Sequence, residues 1–299
     1  MALVLVTTAL GNVGQEVVSG CLGAGLTVRA AHRERAPLLL RFPGVEAVRL
    51  DFLDRSTWAP ALDGVARVFL VRPPPVGDMD ATLNPFITAA YAAGVQQIVF
   101  LSVAGADTRR WVPHHKVEQH LLRSGRAYTL LRPGFFAQNL GEAYRRDIIE
   151  ESRLYLPAGQ GRVAFIDARD IAAVATQALA QPAEFAGQAL LLTGPEAITL
   201  TEAAATLTAA LGRTIRYQPA SIVGYGWHLR TRRGLAWMQI AVQTVLHVGL
   251  RSGDAATVDP TLERLLGRKP RTLGDYVRDS AGLWSQADWA QQKRLRALS

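Results

Sequence analysis

The chain is poor in cysteine: Cys21 stands alone among 299 residues. A disulfide framework within one chain is therefore excluded, which fits a reducing cytoplasm. One cysteine is too few for a structural zinc site, and the histidines are scattered apart from the adjacent pair His114 and His115. No metal is expected. Cys21 itself, on an apolar helical pattern, reads as a small buried hydrophobe. Nowhere is there a run of about 18 apolar residues, so no membrane-spanning helix is expected. Residues 1–10 lack the basic start of a signal peptide. Repeats and low-complexity segments are absent. Ser102 lacks a Gly-x-Ser-x-Gly setting, which argues against a hydrolase. Charged residues are sparse at 19% against 49% hydrophobic ones, so the chain can build a large core and is not globally disordered. The net charge of +8 is spread out. Its one tight cluster, residues 228–233, reads as a solvated helix face. With neither a reading helix nor interleaved aromatics beside it, no nucleic-acid partner is expected. Residues 291–299, polar and basic, read as a frayed helix end.

What is present begins at the N-terminus. Residues 2–6 are an apolar run of strand length. Thr7, Thr8, Ala9, Leu10, Gly11, Asn12, Val13 and Gly14 follow, then a helical pattern over residues 15–24. A buried strand, a glycine-bearing turn and a helix N-terminus make a phosphate site, because backbone N–H groups and the helix dipole point at an anion together. Gly11 can let the backbone approach a pyrophosphate, and Gly14 can let the helix pack close to the strand. The dinucleotide fingerprint carries an earlier glycine as well, and Thr8 occupies that place.

Apolar strands are expected at residues 26–31, 45–50, 65–71, 97–102 and 128–131. Helices are expected at 55–62, 79–93 and 111–123. Continuous rather than alternating apolar strands between helices predict an α/β fold: a Rossmann-type, doubly wound parallel sheet covered on both faces. Ligands of such sheets bind at the strand C-terminal ends, here Thr7, Arg33, Asp51, residues 71–74 and Ser102. No acid stands at Ala30, Ala31 or His32, and Arg33 follows at once. An arginine there accommodates the 2′-phosphate of NADP. Asp51 can flank an adenine. Val71, Arg72 and Pro73 open a stiff, extended proline loop over the crevice. Beyond about residue 151 the texture changes to a turn-rich ribbon, a strand at 163–166, a helix from 168 to 180 capped by Asp167, strands at 188–193 and 198–200, a helix from Thr201 with Glu202 in its first turn, a strand at 214–218, and helices from 221 onward. The expected division is an NAD(P)-binding domain over 1–150, with a strand and helix from 151–195, and a smaller, mostly helical substrate-binding part over 196–299.

Three stretches carry a family resemblance. One runs from His115, Lys116, Val117 and Glu118 through Gly125 to Tyr128–Phe136 and Asn139–Leu140. A second is Phe165–Ala172. The third is the turn at residues 8–14, which matches the pattern Gly-Ala-Thr-Gly-x-x-Gly except at its first and third positions. The chain resembles the NmrA-like group of atypical short-chain dehydrogenases, which includes quinone reductases, triphenylmethane dye reductases and redox-sensing regulators. The resemblance spans residues 3–285. It implies an NADP(H)-binding Rossmann domain, with NAD(H) as the alternative cofactor. It sets Thr8, Leu10, Gly11, Asn12, Val13, Gly14, Arg33, Asp51, Val71, Arg72, Pro73, Ser102 and Lys116 against the cofactor, and Arg33 falls where the family often places its 2′-phosphate arginine. Lys116 is expected to hold the nicotinamide ribose or a carboxamide. A short-chain dehydrogenase has a proton-donating tyrosine four residues before this lysine; Val112 stands there.

An acceptor that takes hydride without early protonation avoids the need for that tyrosine. Quinones, iminium ions and cationic dyes are such acceptors. His115, or its neighbour His114, can supply a proton near neutral pH. Phe135 and Phe136 can stack on a flat substrate, and Asn139 either bonds it or caps a turn. The expected function is an NADPH-dependent reductase of small flat electrophiles. The alternative is a non-catalytic NAD(P)-binding sensor. A cytoplasmic monomer or homodimer acting on a small molecule, with no membrane partner, completes the expectation.

Overall fold

Mainly apolar side chains build the middle of the central sheet, and the strands toward one edge carry Arg29, Glu46 and Arg49 as well. In the computed structural model, which describes residues 2–74, 76–287 and 289, its strands are Leu3–Val6 (β1), Thr27–His32 (β2), Glu46–Arg49 (β3), Arg67–Val71 (β4), Gln97–Leu101 (β5), Ala127–Pro133 (β6) and Gln188–Leu192 (β7). They lie in the order β7-β6-β5-β4-β1-β2-β3, and every pairing is parallel. The order reverses between β1 and β4. A doubly wound sheet opens a crevice at such a switch point, beyond the C-terminal ends of the strands.

The helices that cover this sheet are Asn12–Gly23 (α1), Ala36–Arg41 (α2), Trp58–Leu62 (α3), Leu83–Ala92 (α4), Pro113–Arg123 (α5) and Ala168–Ala180 (α6). α1 packs closely on α6: a Cβ built on Gly20 would stand 2.4 Å from Thr176 Oγ1. Cys21 is fully buried on α1, and burial pushes its thiol up to about 11.

The chain divides into two interleaved units. The first comprises Met1–Pro133, Ala168–Leu192 and Arg264–Gly267; the second comprises Gly134–Asp167, Thr193–Glu263 and Arg268–Ser299. The second unit has its own core, which includes Leu154, Leu156, Leu207, Tyr225 and Trp284. Its helix Leu200–Leu211 begins in a capping box, in which Thr199 and Glu202 bond each other's backbone N–H groups. The helix Ile222–Arg233 starts with the Ser221 side chain accepting from Gly224 N, and the helix Trp237–Gly249 follows it.

Several expected boundaries move, each for a local reason. α4 starts at Leu83, not Met79, because the Asp78 carboxylate accepts from the backbone N–H groups of Asp80 and Ala81 and holds a turn there. α5 starts at Pro113 instead of Trp111, with the proline in its first turn where its missing N–H is harmless. The strand expected over 163–166 is two short ones. Arg162–Val163 pairs with Ile198–Thr199, and Phe165–Ile166 pairs with Phe135–Phe136, a segment expected to be loop. Between them Ala164 N turns to Ala255 O. The helical end expected at 291–299, and Pro75 of the proline loop, lie outside the described residues.

At the turn Gly14 passes so close that a Cβ would stand 2.2 Å from Thr8 O. Gly14→Ala should therefore destabilise the protein by about 1–3 kcal/mol through forced backbone shifts. Gly23→Ala, with nothing within 4 Å of its Cβ, should instead be neutral or stabilising by up to about 1 kcal/mol. Urea unfolding of the two variants checks the contrast.

Candidate functional site

β1 delivers two threonines to the crevice. Thr7 is buried, and its hydroxyl donates to Phe69 O at 3.0 Å while accepting from Val71 N at 2.9 Å. This fixes β1 against β4 where the strands part. Thr8 sits at φ 53°. That left-handed conformation is rare for a β-branched residue and costs about 1–3 kcal/mol unless the surroundings enforce it. They do so here: Gly11 N donates to Thr8 O at 2.9 Å, and Gly14 crosses that same carbonyl. The missing first glycine therefore changes the residue and keeps the turn. α1 begins at Asn12 after Gly11, and no side chain caps it, so its N-terminus suits an anion. Leu10 is half-buried in the turn, whereas the Val13 side chain is in the core and offers an anion only its backbone.

Thr8, Arg33, Asp51 and Pro73 line one cavity of about 210 Å³, walled on its apolar side by Leu50 and Val76 among others. Arg33 is exposed, and among the described residues nothing bonds its guanidinium. An apolar wall, an uncommitted guanidinium and an uncapped helix beside a tight turn fit an adenosine with a 2′-phosphate. The Asp51 carboxylate accepts from Leu53 N at 3.0 Å and shapes the loop. Val71 ends β4 outside this lining. Arg72 bends back on its own loop, donating to Pro73 O, Pro74 O and, at 2.7 Å, Val76 O.

Lys116 and His115 line a second, more polar groove of about 580 Å³ with Asp80, Asp107 and Gln119. They stand near the start of α5, at the edge of the sheet where β5 ends. Lys116 Nζ pairs with Asp80 Oδ2 at 2.7 Å. That bond raises the lysine's pKa and lowers the aspartate's. Both groups are exposed, so the pair positions Lys116 more than it stabilises the fold. His115 Nδ1 lies 2.7 Å from Ala106 O. A carbonyl only accepts, so Nδ1 carries the hydrogen and Nε2 is the nitrogen left for other work. His114 differs: its ring lies 6.0 Å from Phe100, and burial, aided by the charge of Arg72, pushes it down to about 3. It is neutral at pH 7 and is no proton donor there.

Sequence reasoning missed the group that holds this groove together. Glu118 is fully buried in α5. Ser102 Oγ donates to it at 2.5 Å, and Arg132 binds it through Nε and a terminal nitrogen at 3.0 and 2.6 Å, with a further bond to Asp107 at 3.1 Å. Ser102, expected against the cofactor, is 2% exposed and spends its hydroxyl here. The available signal was the helix pattern itself: Glu118 lies on the stripe of Val117 and Leu121, the buried face of α5, where an acid requires a partner.

Phe135, Phe136 and Asn139 belong to the second unit. Phe135 meets Phe165 edge-to-face at 5.6 Å and lies 6.4 Å from the ring of His247. Phe136 and Asn139 are half-buried, and Asn139 O accepts from Tyr144 N at 3.0 Å. The Tyr144 hydroxyl bonds His247 Nε2, whose Nδ1 donates to Gln243 O at 2.6 Å. Burial pushes His247 down to about 4.

A parallel sheet with the strand reversal beside β1, and a phosphate turn at that reversal, define a Rossmann-type nucleotide-binding protein. The chain belongs to the NmrA-like family, whose model matches residues 1–224. It is 35% identical to the NAD(P)H azoreductase of Xenophilus azovorans over 294 residues, which covers 95% of this chain and 100% of that protein. The solved structure of the NADPH-dependent quinone oxidoreductase QOR2 of Escherichia coli with NADPH superposes with a TM-score of 0.81 at 28% identity, covering 92% of this chain and 98% of that one. The fold is shared too with the Citrobacter sp. triphenylmethane reductase complexed with NADP(H), at a TM-score of 0.80 and 20% identity over 94% and 100% of the two chains. Among the described residues no helix is long and apolar enough to cross a membrane.

Two outcomes follow from these geometries. Glu118→Ala leaves the Arg132 guanidinium, 17% exposed, without its bidentate partner, and should destabilise by about 3–5 kcal/mol in urea unfolding. His114 and His247 are held neutral in the folded chain and charge near 6.5 once unfolded. Their contribution is complete above pH 6.5 and is lost as pH falls toward 4, at up to about 1.4 kcal/mol per pH unit for each. Melting temperature should fall over that range, and less steeply in His114→Phe.

Proposed function

We propose that this protein is an NADPH-dependent reductase that passes hydride to a small flat electrophile such as a quinone, an iminium ion or an azo compound. The observation that carries the reading is Val112. It caps the start of α5 where a short-chain dehydrogenase has its proton-donating tyrosine, so the polar groove at Lys116 and His115 contains no phenol. Acceptors that need no early proton suit such a site. The named activities of the azoreductase and of the quinone oxidoreductase fall in that class.

Bound NADPH would supply the hydride. This chain's residues bind and orient around it. The N-terminus of α1 and the turn at Thr8 receive the pyrophosphate, and the exposed Arg33 receives the 2′-phosphate. Leu50, Asp51 and Val76 flank the adenine. Lys116, steadied by Asp80, holds the ribose hydroxyls or the carboxamide. His115, with Nδ1 pinned to Ala106 O, presents Nε2 to deliver a proton after hydride transfer. Phe135, Phe136 and Asn139 are the candidates for contact with the substrate. A redox sensor that binds the nucleotide without turnover is the second reading, and the strained Thr8 favours it, because any slackening of that turn weakens the phosphate site.

Titration of intrinsic tryptophan fluorescence with NADPH and NADH is the first test, and failure of both to bind refutes both readings. Arg33→Ala should weaken NADPH by about 10-fold or more, the worth of a charge-assisted contact of about 1.5–3 kcal/mol, and leave NADH unchanged. Equal losses would remove Arg33 from the 2′-phosphate. Consumption of NADPH with a panel of quinones, iminium and azo compounds marks a reductase; binding without turnover on any of them marks a sensor.

A further inference from the structure

The second unit leaves a helical pair without cover. On Ile222–Arg233, Val223, Trp227 and Arg230 lie three or four residues apart and share one face. Val223 is 83% exposed and Trp227 67%. On Trp237–Gly249 the buried side carries Ile240 and His247, and the opposite side carries Met238, Val245 and Leu246, each at least half exposed. Trp237 is 64% exposed, and the Arg230 guanidinium lies 5.7 Å over its ring. This second helix has no Asp, Glu, Lys or Arg in its 13 residues. A monomer in water seldom keeps so wide an apolar surface.

We propose that this face is the docking surface for a second copy of the chain, giving a two-fold homodimer. Three observations favour that occupant. The first is area: two tryptophans about two-thirds exposed, with four aliphatic side chains, offer on the order of 800 Å², one side of a standard stable interface. The second is composition, since Trp, Met and Arg are enriched and Lys, Glu and Asp depleted at interface centres. The third is charge. A chain of net +8 repels its copy, and an uncharged helix is where two copies meet at least electrostatic cost. An anionic lipid surface fits less well. Such surfaces select helices flanked by several Lys and Arg, and the one arginine of this face is held by the Trp237 ring and by Leu235 O at 3.1 Å.

Sedimentation velocity of the full chain at low to high micromolar concentration tests the proposal. The wild type should sediment as a dimer. Met238→Asp and Val223→Asp, one on each helix and each at an exposed position, should raise the dimer dissociation constant at least 10-fold with unchanged circular dichroism. Leu40→Asp, an exposed apolar site on α2 of the first unit, should leave the dimer intact. If Met238→Asp fails to fold, Val223→Asp decides alone. A wild type that stays monomeric throughout overturns the proposal, as does a dimer that survives both substitutions. A monomer that co-sediments with phosphatidylglycerol vesicles overturns it in favour of a lipid surface.

Discussion

A carboxylate with no access to water, Glu118, fixes where α5 lies on the sheet. Burying an isolated charge is prohibitive, so Glu118 is admitted only with the Arg132 fork and the Ser102 hydroxyl in place. Those partners stand at the ends of β6 and β5, and the same arginine reaches Asp107 in the loop that leads into α5. One buried carboxylate thereby ties two strands, one loop and one helix at the C-terminal edge of the sheet. Lys116 and His115 occupy the turn of α5 just before Glu118. Their placement is inherited from this buried group.

The opposite side of the switch point works by steric closeness in place of charge. Thr8 adopts a backbone conformation that glycine would adopt more easily, and it is held there by a hydrogen bond from Gly11 and by the approach of Gly14 to its carbonyl. The two remaining glycines of the fingerprint suffice because each acts on the same atom, Thr8 O. Strain at one residue is thus distributed over the start of α1. The geometry of the phosphate turn depends on α1 staying packed, and close packing at Gly20 against Thr176 keeps it so.

The sheet was legible because most of its strands are mainly apolar and its helices carry clear stops, features that period and composition report directly. Arg33, Asp51 and Pro73, expected at strand ends, and Thr8, expected in the turn, line one cavity. What stayed hidden depends on pairing across distance. Ser102 sits at a strand end like the others, yet its hydroxyl turns inward because Glu118 needs it. No local pattern distinguishes a serine that faces a ligand from one that satisfies a buried acid. The same holds for His114 and His115, adjacent in sequence and equal in type. One packs by Phe100 and Arg72 and is held neutral, and the other is pinned by Ala106 O in an open groove. Short strands such as Phe135–Phe136 were invisible for a related reason, because two residues carry no period and only the partner strand defines them.

Loss of the tyrosine at Val112 and retention of Lys116 separate two tasks that a phenol–lysine pair performs together. In such a pair the lysine both binds ribose and lowers the pKa of its partner. Here its ammonium faces a carboxylate, Asp80, which holds it more firmly in the charged state and offers no proton to a substrate. On the proposed reading, the groove keeps positioning by Lys116, with any proton coming from His115 Nε2 or from water. A site of that kind discriminates among acceptors by when they need their proton. Carbonyls, which need it as hydride arrives, are disfavoured, and acceptors whose charge is already spread over a conjugated frame are tolerated. On that reading, specificity would follow from Val112 standing where a tyrosine could have stood as much as from the side chains the groove presents.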